Sequence, residues 1–379
     1  MKLRVEKNEF ADLIGWAARH TPKRPSVPVL AGVKLTADGA TLTVEAFDYE
    51  VSAQASMTAV GEDGAALVSA RLLAEITKAL PNKPVTLETA GAHLVLTCGS
   101  GRFTLPTMPV EDYPTLPALP QPVGTVDAAV FAQTVAQAAV AAGRDETLPM
   151  MTGVMVEFTG GEVSLLATDR YRLAERVTEW KPAQEYDETL RALVPAMTLV
   201  EMAKTLNTGT LTIALTASGQ GEGLIGFEAA GRRMTSRLLD GGGYPPVRSL
   251  FPAPEAVSTE VTVAVAALAE VVKRVALVAE RTTPVLLTFD NDRAVVEAGG
   301  TEEARASETL PDEAFTFSGQ PITIGFNPQY LLDGLGAVDT MEAHIGFADA
   351  HKPAVLSPAI DGAPAGGHRY LMMPIRVSR

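Results

Sequence analysis

The chain has 379 residues, of which 46% are hydrophobic and 20% are charged. This length predicts two or three domains with sizeable cores, and the composition excludes a disordered or collagen-like chain. With 31 basic and 45 acidic residues, the net charge of -14 argues against a protein that coats nucleic acid with its whole surface, although a local basic surface is compatible with it.

The N-terminal segment and the single cysteine indicate where the chain works. The first ten residues, MKLRVEKNEF, carry charges where a secretory signal needs an apolar stretch, and Cys98 has no second cysteine with which to form a disulfide. The longest apolar stretches, such as 261–269, are shorter than the roughly 18 residues of a membrane span. We therefore expect a cytoplasmic protein that does not cross a membrane.

Hydrophobic periodicity predicts the same succession of elements three times along the chain: a strand, a helix, paired strands, a second helix and further hairpins. The predicted helices cover 9–20, 70–80, 128–142, 197–206, 266–280 and 328–335. Turns at Asp38-Gly39, Gly160-Gly161 and Asn291-Asp292 indicate antiparallel pairing of the first hairpin in each unit. The predicted fold class is α+β, with two helices on antiparallel sheet in each unit.

The three units are also similar in sequence. Residues 32–48 (GVKLTADGATLTVEAFD) align without a gap to 153–169 (GVMVEFTGGEVSLLATD) at an offset of 121, and 285–300 (VLLTFDNDRAVVEAGG) align at an offset of 252 from Val33. A period of this length indicates repeated domains. We predict three, over 1–123, 124–254 and 255–379.

The later parts of each unit repeat as well. Lys78 recurs as Lys204 on the second helix, at an offset of 126. Arg102 precedes Tyr113-Pro114 by eleven residues, as Arg233 precedes Tyr244-Pro245, and Arg369 opens a similar strand near the C-terminus. The periodicity therefore extends over whole domains.

Motifs associated with catalysis lack the context that they need. The GxGxxG string at 221–226 precedes residues without a helical period, so we interpret it as a hairpin turn. The sequence has no Gly-Lys dipeptide for a phosphate loop and no Gly-x-Ser-x-Gly elbow, and its five histidines lack metal-ligand spacing. We interpret Cys98 as a buried, inert thiol and Asp169, the equivalent of Asp48, as a turn residue. We expect no catalytic residue, metal or cofactor.

Basic residues concentrate on the predicted helices, whereas acidic residues crowd into strands and loops. The basic positions are Arg19, Lys23, Arg24, Arg71, Lys78, Lys204, Lys273, Arg274 and Arg281. Ordinary solvated helix faces would explain this pattern if the units were unrelated. Because the units repeat, the same faces would sum to one basic surface inside an acidic shell.

Several strings resemble the bacterial DNA polymerase III beta subunit family, the replicative sliding clamps. They are MKLRVE at the start, RPSVPVL at 24–30, ATDRYRL at 167–173, Tyr244-Pro245 with Arg248, GFN at 325–327 with Tyr330, and YLMMPIRV at 370–377. The resemblance covers the whole chain, and the TDRYRL form is similar to clamps of high-GC actinobacteria.

The resemblance implies a head-to-tail homodimer whose six domains close a ring around duplex DNA, with helices lining the hole and sheets forming the wall. Such a ring holds DNA by topology and needs only weak, sequence-independent phosphate contacts. It implies a non-enzymatic processivity factor without cofactor, which is placed on DNA by a clamp loader. Its partners would be the DNA polymerase III alpha subunit and other proteins with a clamp-binding motif, including repair polymerases and ligase.

The resemblance also implies three sets of site residues. The DNA-facing set is Arg24, Arg71, Lys78, Lys204, Asn327 and Tyr330. The partner-peptide pocket, with an apolar floor and with Arg172 and Arg376 at its rim, is Met151, Thr168, Arg170, Tyr171, Arg172, Leu173, Pro245, Leu250, Pro353, Leu371, Met373, Pro374, Ile375 and Arg376. It suits short peptides with Leu and Phe anchors. The dimer contact would pair Phe103 of one chain with Leu277 and Val278 of the other.

Two places depart from the family pattern. Ala196-Met197 stand where many members carry adjacent basic residues, and Ser249 stands where many carry Arg or Gln. The alternatives from other classes are an acidic α+β metabolic enzyme with a pocket in its middle domain, which the missing motifs disfavour, and a protein scaffold that never meets DNA. Within the family, the chain is either the housekeeping clamp or a second copy with altered ligand sensitivity.

Overall fold

Residues with alternating hydrophobicity form the strands of the protein, and the amphipathic segments form its helices. The computed structural model describes residues 1–22, 24–216, 223–279, 283–299 and 304–376. The described elements of the first repeat are β1 (Lys2–Val5), α1 (Lys7–Arg19), β2 (Gly32–Asp38), β3 (Thr41–Phe47), β4 (Val51–Thr58), β5 (Val60–Glu62), β6 (Gly64–Ser69), α2 (Ala70–Ala79), β7 (Val85–Ala90), β8 (His93–Cys98) and β9 (Gly101–Met108).

The second and third repeats follow the same order. The second contains β10 (Pro122–Asp127), α3 (Ala128–Ala139), β11 (Gly153–Thr159), β12 (Glu162–Thr168), β13 (Arg172–Glu179), β14 (Lys181–Pro182), β15 (Leu190–Pro195), α4 (Ala196–Thr205), β16 (Thr210–Leu215), β17 (Leu224–Ala229) and β18 (Arg232–Arg237). The third contains β19 (Thr259–Ala264), α5 (Val265–Val275), β20 (Val285–Phe289), β21 (Ala294–Gly299), β22 (Arg305–Thr309), β23 (Phe315–Gly319), β24 (Ile322–Phe326), α6 (Pro328–Ala337), β25 (Glu342–Phe347), β26 (Ala354–Ile360), β27 (Ala363–Pro364) and β28 (His368–Met372).

The predicted helices are confirmed, with differences at their ends. Helix α3 stops at Ala139 rather than at residue 142, and α5 gives way to a 3-10 turn over Ala276–Val278. Helix α6 begins where the sequence provides both a cap and a starting residue, since the Asn327 side chain accepts hydrogen bonds from two backbone amides and Pro328 follows it. Residue 280, the predicted end of α5, lies outside the described residues.

The end of the GxGxxG string and the single cysteine lie in strands. Strand β17 begins within the string, at Leu224, and pairs antiparallel with β16, while 221 and 222 lie outside the described residues. Cys98 is buried, and its thiol donates to the carbonyl oxygens of Pro81 and Lys83. None of the described helices has the length and apolarity needed to cross a membrane.

The contacts divide the chain into two compact units. Unit 1 comprises Met1–Ala129, Trp180–Glu185 and Glu201–Leu238, and unit 2 comprises Val130–Glu179, Tyr186–Val200 and Leu239–Arg379. Each unit thus contains elements of more than one repeat, because strands of neighbouring repeats pair with each other. The three domain boundaries drawn from the sequence stay a prediction.

Unit 1 is organised around one antiparallel sheet of the order β14-β10-β16-β17-β18-β4-β3-β2-β6-β9-β8-β7-β1-β5. Helices α1 and α2 pack against each other, and α1 also lies close to β2, β3 and β4. Leu35 and Val44 are fully buried on the inner face of this sheet, and they alternate with Lys34 and Glu45 on the outer face. Alternation of this kind is typical of a sheet with one covered face.

Unit 2 contains two antiparallel sheets. The larger has the order β15-β11-β12-β13-β28-β26-β25-β19-β23, and the smaller has the order β22-β21-β20-β24. Helices α5 and α6 pack against each other, and α6 lies close to β28. In the larger sheet, Met155 and Leu166 lie on the outer face, at positions equivalent to those of Lys34 and Glu45 in unit 1.

Two strand pairs join consecutive repeats, and they have the same register. In unit 1, β4 pairs with β18 so that Gln54 is opposite Arg233. In unit 2, β13 pairs with β28 so that Glu175 is opposite Arg369. Gln54 and Glu175 are equivalent at the offset of 121, and both arginines are the repeated residue noted in the sequence. We call these two strand pairs the first and second junction.

Candidate functional site

The TDRYR string forms the tight turn between β12 and β13. The Asp169 Oδ1 atom accepts hydrogen bonds from the backbone amides of Tyr171 at 3.0 Å and Arg172 at 3.1 Å. Asp48 makes the same two contacts in the first repeat, with the amides of residues 50 and 51. The structural role predicted for Asp169 is therefore confirmed. The turn places Arg170 at a positive φ of 80° and leaves Tyr171 exposed.

Arg172, which was predicted for the rim of the pocket, lies inside this turn and is largely buried. Only 7% of the residue is exposed. Its guanidinium contacts Asp169 at 2.8 Å and Asp333 of α6 at 2.5 Å, and it lies 4.4 Å from the centre of the Tyr330 ring. A buried arginine with two carboxylates and an aromatic face is fully partnered, so Arg172 fastens β13 to α6.

A cavity of about 620 Å³ opens beside this arginine. It brings together five residues that the resemblance singled out, namely Met151, Arg170, Tyr171, Arg172 and Tyr330. Its other lining residues are Ala142, Gly143, Arg144, Asp145, Leu148, Asp169, Gln329 and Asp333. Tyr330, predicted to face DNA, therefore lies among residues predicted for the partner pocket.

An apolar cluster lies next to the turn, on the outer face of unit 2. Leu173 and Leu371 are opposite each other across the second junction, and both are buried. The cluster also contains Met155, Leu166, Leu193 and Val247, with Met150, Leu239, Tyr244, Phe251 and Val355 packed against it. The predicted pocket residues Leu173 and Leu371 are thus buried in a core.

Three predicted pocket residues, Leu250, Met373 and Tyr171, are 56%, 43% and 55% exposed, and each lies two or three residues along the chain from a member of the cluster. The Met373 amide donates to the Tyr171 carbonyl at 2.9 Å, which extends the ladder of the second junction by one residue. The remaining predicted pocket residues lie nearby in the chain: Thr168 is buried, Pro245, Pro353, Pro374 and Ile375 are half-buried, and Arg376 is exposed.

A second cavity, of about 610 Å³, adjoins the cluster on the side of the 3-10 turn Val247–Leu250. Its lining includes Met155, Leu166, Tyr244 and Pro245, together with Glu157, Arg191, Arg248 and Ser249. Sequence reasoning gave no role to the charged members of this group. For Glu157 the signal is strand alternation, which places it on the same face as Met155.

The predicted DNA-facing residues are distributed over both units. Arg71 and Lys78 are seven residues apart on α2 and exposed, and Arg71 contacts Glu75 at 3.0 Å. Arg24 follows α1, and Lys204 lies in the last turn of α4; both are exposed. Asn327 caps α6, and its Oδ1 atom accepts from the amides of residues 329 and 330. Lys23 and Arg281 lie outside the described residues.

Two of the three predicted dimer residues are exposed in the single chain. Phe103 on β9 is 37% exposed, Leu277 in the 3-10 turn after α5 is 84% exposed, and Val278 is half-buried. The equivalents of Phe103 at the two junctions are Met234 and Tyr370, which are 2% and 0% exposed. Phe103 is thus an apolar residue at a position that the other repeats bury.

The described part of the chain holds no group of three His, Cys, Asp or Glu side chains that could bind a metal ion. A repeated unit of two helices on antiparallel sheet, joined strand to strand with an apolar cluster at the second junction, defines the class of DNA clamps. Residues 1–117, 125–246 and 248–376 match, in turn, the N-terminal, central and C-terminal domains of the DNA polymerase III beta subunit. The chain belongs to this family, and its function is that of a DNA sliding clamp.

Individual relatives agree with this assignment. The chain is 49% identical over 382 residues to the beta sliding clamp of Streptomyces coelicolor, with 100% of both chains covered. It is 47% identical over 313 residues to that of Micrococcus luteus, which covers 82% of this chain and 99% of the relative. These two relatives confirm the predicted actinobacterial type. Among solved structures, the Pseudomonas aeruginosa sliding clamp bound to griselimycin shares the fold, with a TM-score of 0.89, 24% identity and 100% of both chains covered.

Proposed function

We propose that the chain works as a non-catalytic processivity factor of the cytoplasm. Two copies, joined head to tail and loaded by a clamp loader, encircle duplex DNA and tether the DNA polymerase III alpha subunit and other proteins with a clamp-binding motif. The observation that carries this proposal is the third junction, which a single chain leaves incomplete.

The first two junctions define which strands are left over. Strands β4 and β13 pair with β18 and β28 of the following repeat, and the equivalent strands without such a pairing are β22 and β9. Among the described residues, β22 pairs with β21 alone, whereas β9 pairs with β8 on one side over residues 101–106 and with β6 on the other side only at Thr107 and Met108. Residues 101–106 of β9 therefore present an open backbone edge. An open strand edge is a template for pairing with another chain.

The repeats also predict the register of that pairing. Glu297 is equivalent to Glu45 and is opposite Ser307, as Glu45 is opposite Gln54. Ser307 therefore occupies the position of Gln54 and Glu175, whose partners are the repeated arginines. We expect Arg102 of one protomer to lie opposite Ser307 of its partner, and Phe103 opposite Ala306.

This register explains why Phe103 is exposed. Its equivalents Met234 and Tyr370 are buried by the repeat that precedes them, so Phe103 would be buried by the partner's third repeat, near Leu277 and Val278. Burying an aromatic side chain contributes about 1.5–3 kcal/mol. A heterologous contact closes a ring when each junction repeats the same rotation, and we propose that this third junction does so.

The DNA contact and the partner pocket follow from the two surfaces described above. We assign Arg24, Arg71, Lys78 and Lys204 to phosphate contacts, because they are exposed and concentrated at helices and helix ends. We assign the apolar surface of Leu250, Met373 and Tyr171 over the Leu173–Leu371 cluster to partner peptides with Leu and Phe anchors. Tyr330 belongs to that pocket by its position in the cavity with Met151 and Tyr171.

Cysteine cross-linking tests the proposed assembly and its register together. Phe103→Cys with Ala306→Cys should give covalently closed dimers on oxidation, because opposite residues of paired strands lie within disulfide distance. Loaded onto a nicked plasmid by a clamp loader and then oxidised, these rings should stay on circular DNA in denaturant and leave after linearisation. The matched control is Phe103→Cys with Glu308→Cys, which is two residues out of register and should cross-link poorly.

The outcomes separate the claims. Efficient cross-linking of the control and none of the test pair would refute the register. Loss of cross-linked protein from closed circular DNA at the rate seen with linear DNA would refute encirclement.

A further inference from the structure

The outer face of unit 2 carries one charged network, centred on Arg248. Its guanidinium contacts Glu175 at 2.6 Å, Glu157 at 2.5 Å and the Ser164 hydroxyl at 2.6 Å. These three acceptors come from the neighbouring strands β13, β11 and β12. Arg248 itself belongs to the 3-10 turn Val247–Leu250, so the network joins this turn to the sheet.

Glu175 is the buried centre of the network. Its side chain is 4% exposed, and its second carboxylate oxygen accepts a hydrogen bond from Arg369. Arg369 also lies 4.1 Å above the ring of Phe251, the residue that follows the turn. A buried carboxylate is tolerated only when it is paired, and here two guanidinium groups pair it. These hydrogen bonds keep the pKa of Glu175 below its usual range, against the opposing effect of burial.

The turn held by this network forms one wall of the proposed partner pocket. Val247 belongs to the apolar cluster with Leu173 and Leu371, whereas Leu250, at the other end of the same turn, is exposed. Because Arg248 lies between these two residues in one short turn, its contacts with the sheet also hold the turn that carries Leu250.

The other repeats lack this carboxylate. Gln54 occupies the position of Glu175 in the first repeat and donates instead to Glu45 at 2.8 Å, while Ser307 occupies it in the third. The charge is therefore particular to the repeat that carries the apolar cluster, where it faces two arginines.

We propose that Glu175 is a positioning residue for partner recognition, which acts through Arg248 to hold Leu250 at the pocket wall. This inference rests on the proposed partner pocket. Glu175 lies beneath the surface, so it acts on the peptide only through the turn that Arg248 carries.

The test measures calorimetric affinity for a peptide with Leu and Phe anchors in Glu175→Gln, Arg248→Met and the double variant. Each single variant should weaken binding about tenfold, and the double variant should be no weaker than either, because both changes release the same turn. The Glu45→Gln variant, which removes an outer-face carboxylate from the first repeat, is the matched control and should bind as the wild type does.

A second peptide, in which the Leu anchor is replaced by Ala, distinguishes a positioning role of Glu175 from a role in stability alone. If Glu175 acts through Leu250, Glu175→Gln should weaken binding of the Ala peptide less than it weakens binding of the Leu peptide, because the anchor that contacts Leu250 is missing. Both affinities are measured at a temperature where all variants are folded. Unchanged affinity in Glu175→Gln, or losses that multiply in the double variant, would overturn the inference. A wild-type chain that bound neither peptide would refute the partner pocket itself.

Discussion

The outer faces of the first and second repeats differ at the same positions, and the differences create the apolar cluster. Across the first repeat, Lys34, Glu45 and Gln54 form a row of opposite residues linked by a 3.0 Å ion pair and a 2.8 Å hydrogen bond. In the second repeat the same row is Met155, Leu166 and Glu175, of which the first two belong to the cluster. A polar surface has thus become an apolar one on an unchanged backbone.

The neighbouring row shows the same change at the junctions. In the first junction, Ser52 and Thr235 are buried opposite each other and share a hydrogen bond of 2.6 Å. In the second, Leu173 and Leu371 take these places. The two junctions have the same register, so their side chains alone distinguish the polar junction from the apolar one.

The third difference between the two repeats is the size of one buried side chain. Phe47 fills the end of this row in the first repeat, where it is buried with Val29, Leu67 and Tyr113. Its equivalent in the second repeat is Thr168, whose hydroxyl donates a hydrogen bond to the Arg172 carbonyl oxygen at 2.6 Å. Exchanging Phe for Thr removes most of an aromatic ring from beside Leu173. The comparison therefore predicts that the second repeat leaves open a position that the aromatic ring fills in the first.

The largest expected effect comes from filling the open position. Thr168→Phe should place a ring where the first repeat has one and reduce the affinity for the Leu- and Phe-anchored peptide at least a hundredfold, while dimerisation persists. The measurement is calorimetric titration together with sedimentation.

Thr168→Val is the control for this change, because it also loses the hydrogen bond to Arg172 but keeps the small volume. Comparable loss in both variants would mean that the hydrogen bond, rather than the space, distinguishes the repeats.

Much of this comparison was available from the sequence. The period gave the helices and the hairpins, because alternation and turn residues are local signals. The aligned strings even place Phe47 over Thr168 and Lys34 over Met155. The resemblance then supplied the pocket residues, of which Tyr171, Leu173, Leu371 and Met373 lie together in unit 2.

What the sequence could not provide depends on contacts between distant residues. The burial of Arg172 follows from Asp333, which is 161 residues away, and from the ring of Tyr330. The position of Arg248 depends on acceptors from three strands. Helix ends also escaped prediction, because α3 and α5 finish in tighter turns that no Gly or Pro announces.

On the inner face of the sheets, the two junctions differ in a residue that makes stability depend on pH. Arg232 in the first junction lies 5.3 Å over the Trp16 ring and pairs with Asp12, whereas its equivalent in the second is His368, which is fully buried. Burial, with the nearby Arg176 charge, lowers the pKa of His368 to about 4. The unfolded chain takes up this proton near pH 6.5, so stability should fall between pH 6.5 and 4, by at most about 3 kcal/mol.

Denaturant unfolding at pH 7 and pH 5 measures this effect. His368→Gln should reduce the loss of stability on acidification, while the exposed His93→Gln should not. His20 of the first repeat, whose pKa burial and Arg19 also lower to about 4, should keep part of the loss in place. An unchanged slope in His368→Gln would show that the buried imidazole is not the titrating group.

Ser52 and Thr235 of the first junction should affect stability mainly because each buried hydroxyl is the hydrogen-bond partner of the other. Ser52→Ala leaves the buried Thr235 hydroxyl without its partner and should lower the free energy of unfolding by about 1–3 kcal/mol. Ser52→Ala with Thr235→Val removes both groups and should recover part of that loss. A double variant that loses the sum of both single changes would contradict the reciprocal role of the pair.

The smallest expected effect comes from giving the first repeat only two residues of the second, at Lys34 and Glu45. Lys34→Met with Glu45→Leu gives the first repeat the apolar residues of the second, and should change the free energy of unfolding by less than about 1 kcal/mol, because replacing a half-buried ion pair by apolar residues is often neutral. No peptide affinity should appear at this site, since Phe47 still fills the space that Thr168 leaves open. Titration of a chain that also carries Thr168→Phe, which silences the second repeat, isolates the copied site. Measurable binding there would show that apolar surface alone suffices, and that the open position is not what separates the two repeats.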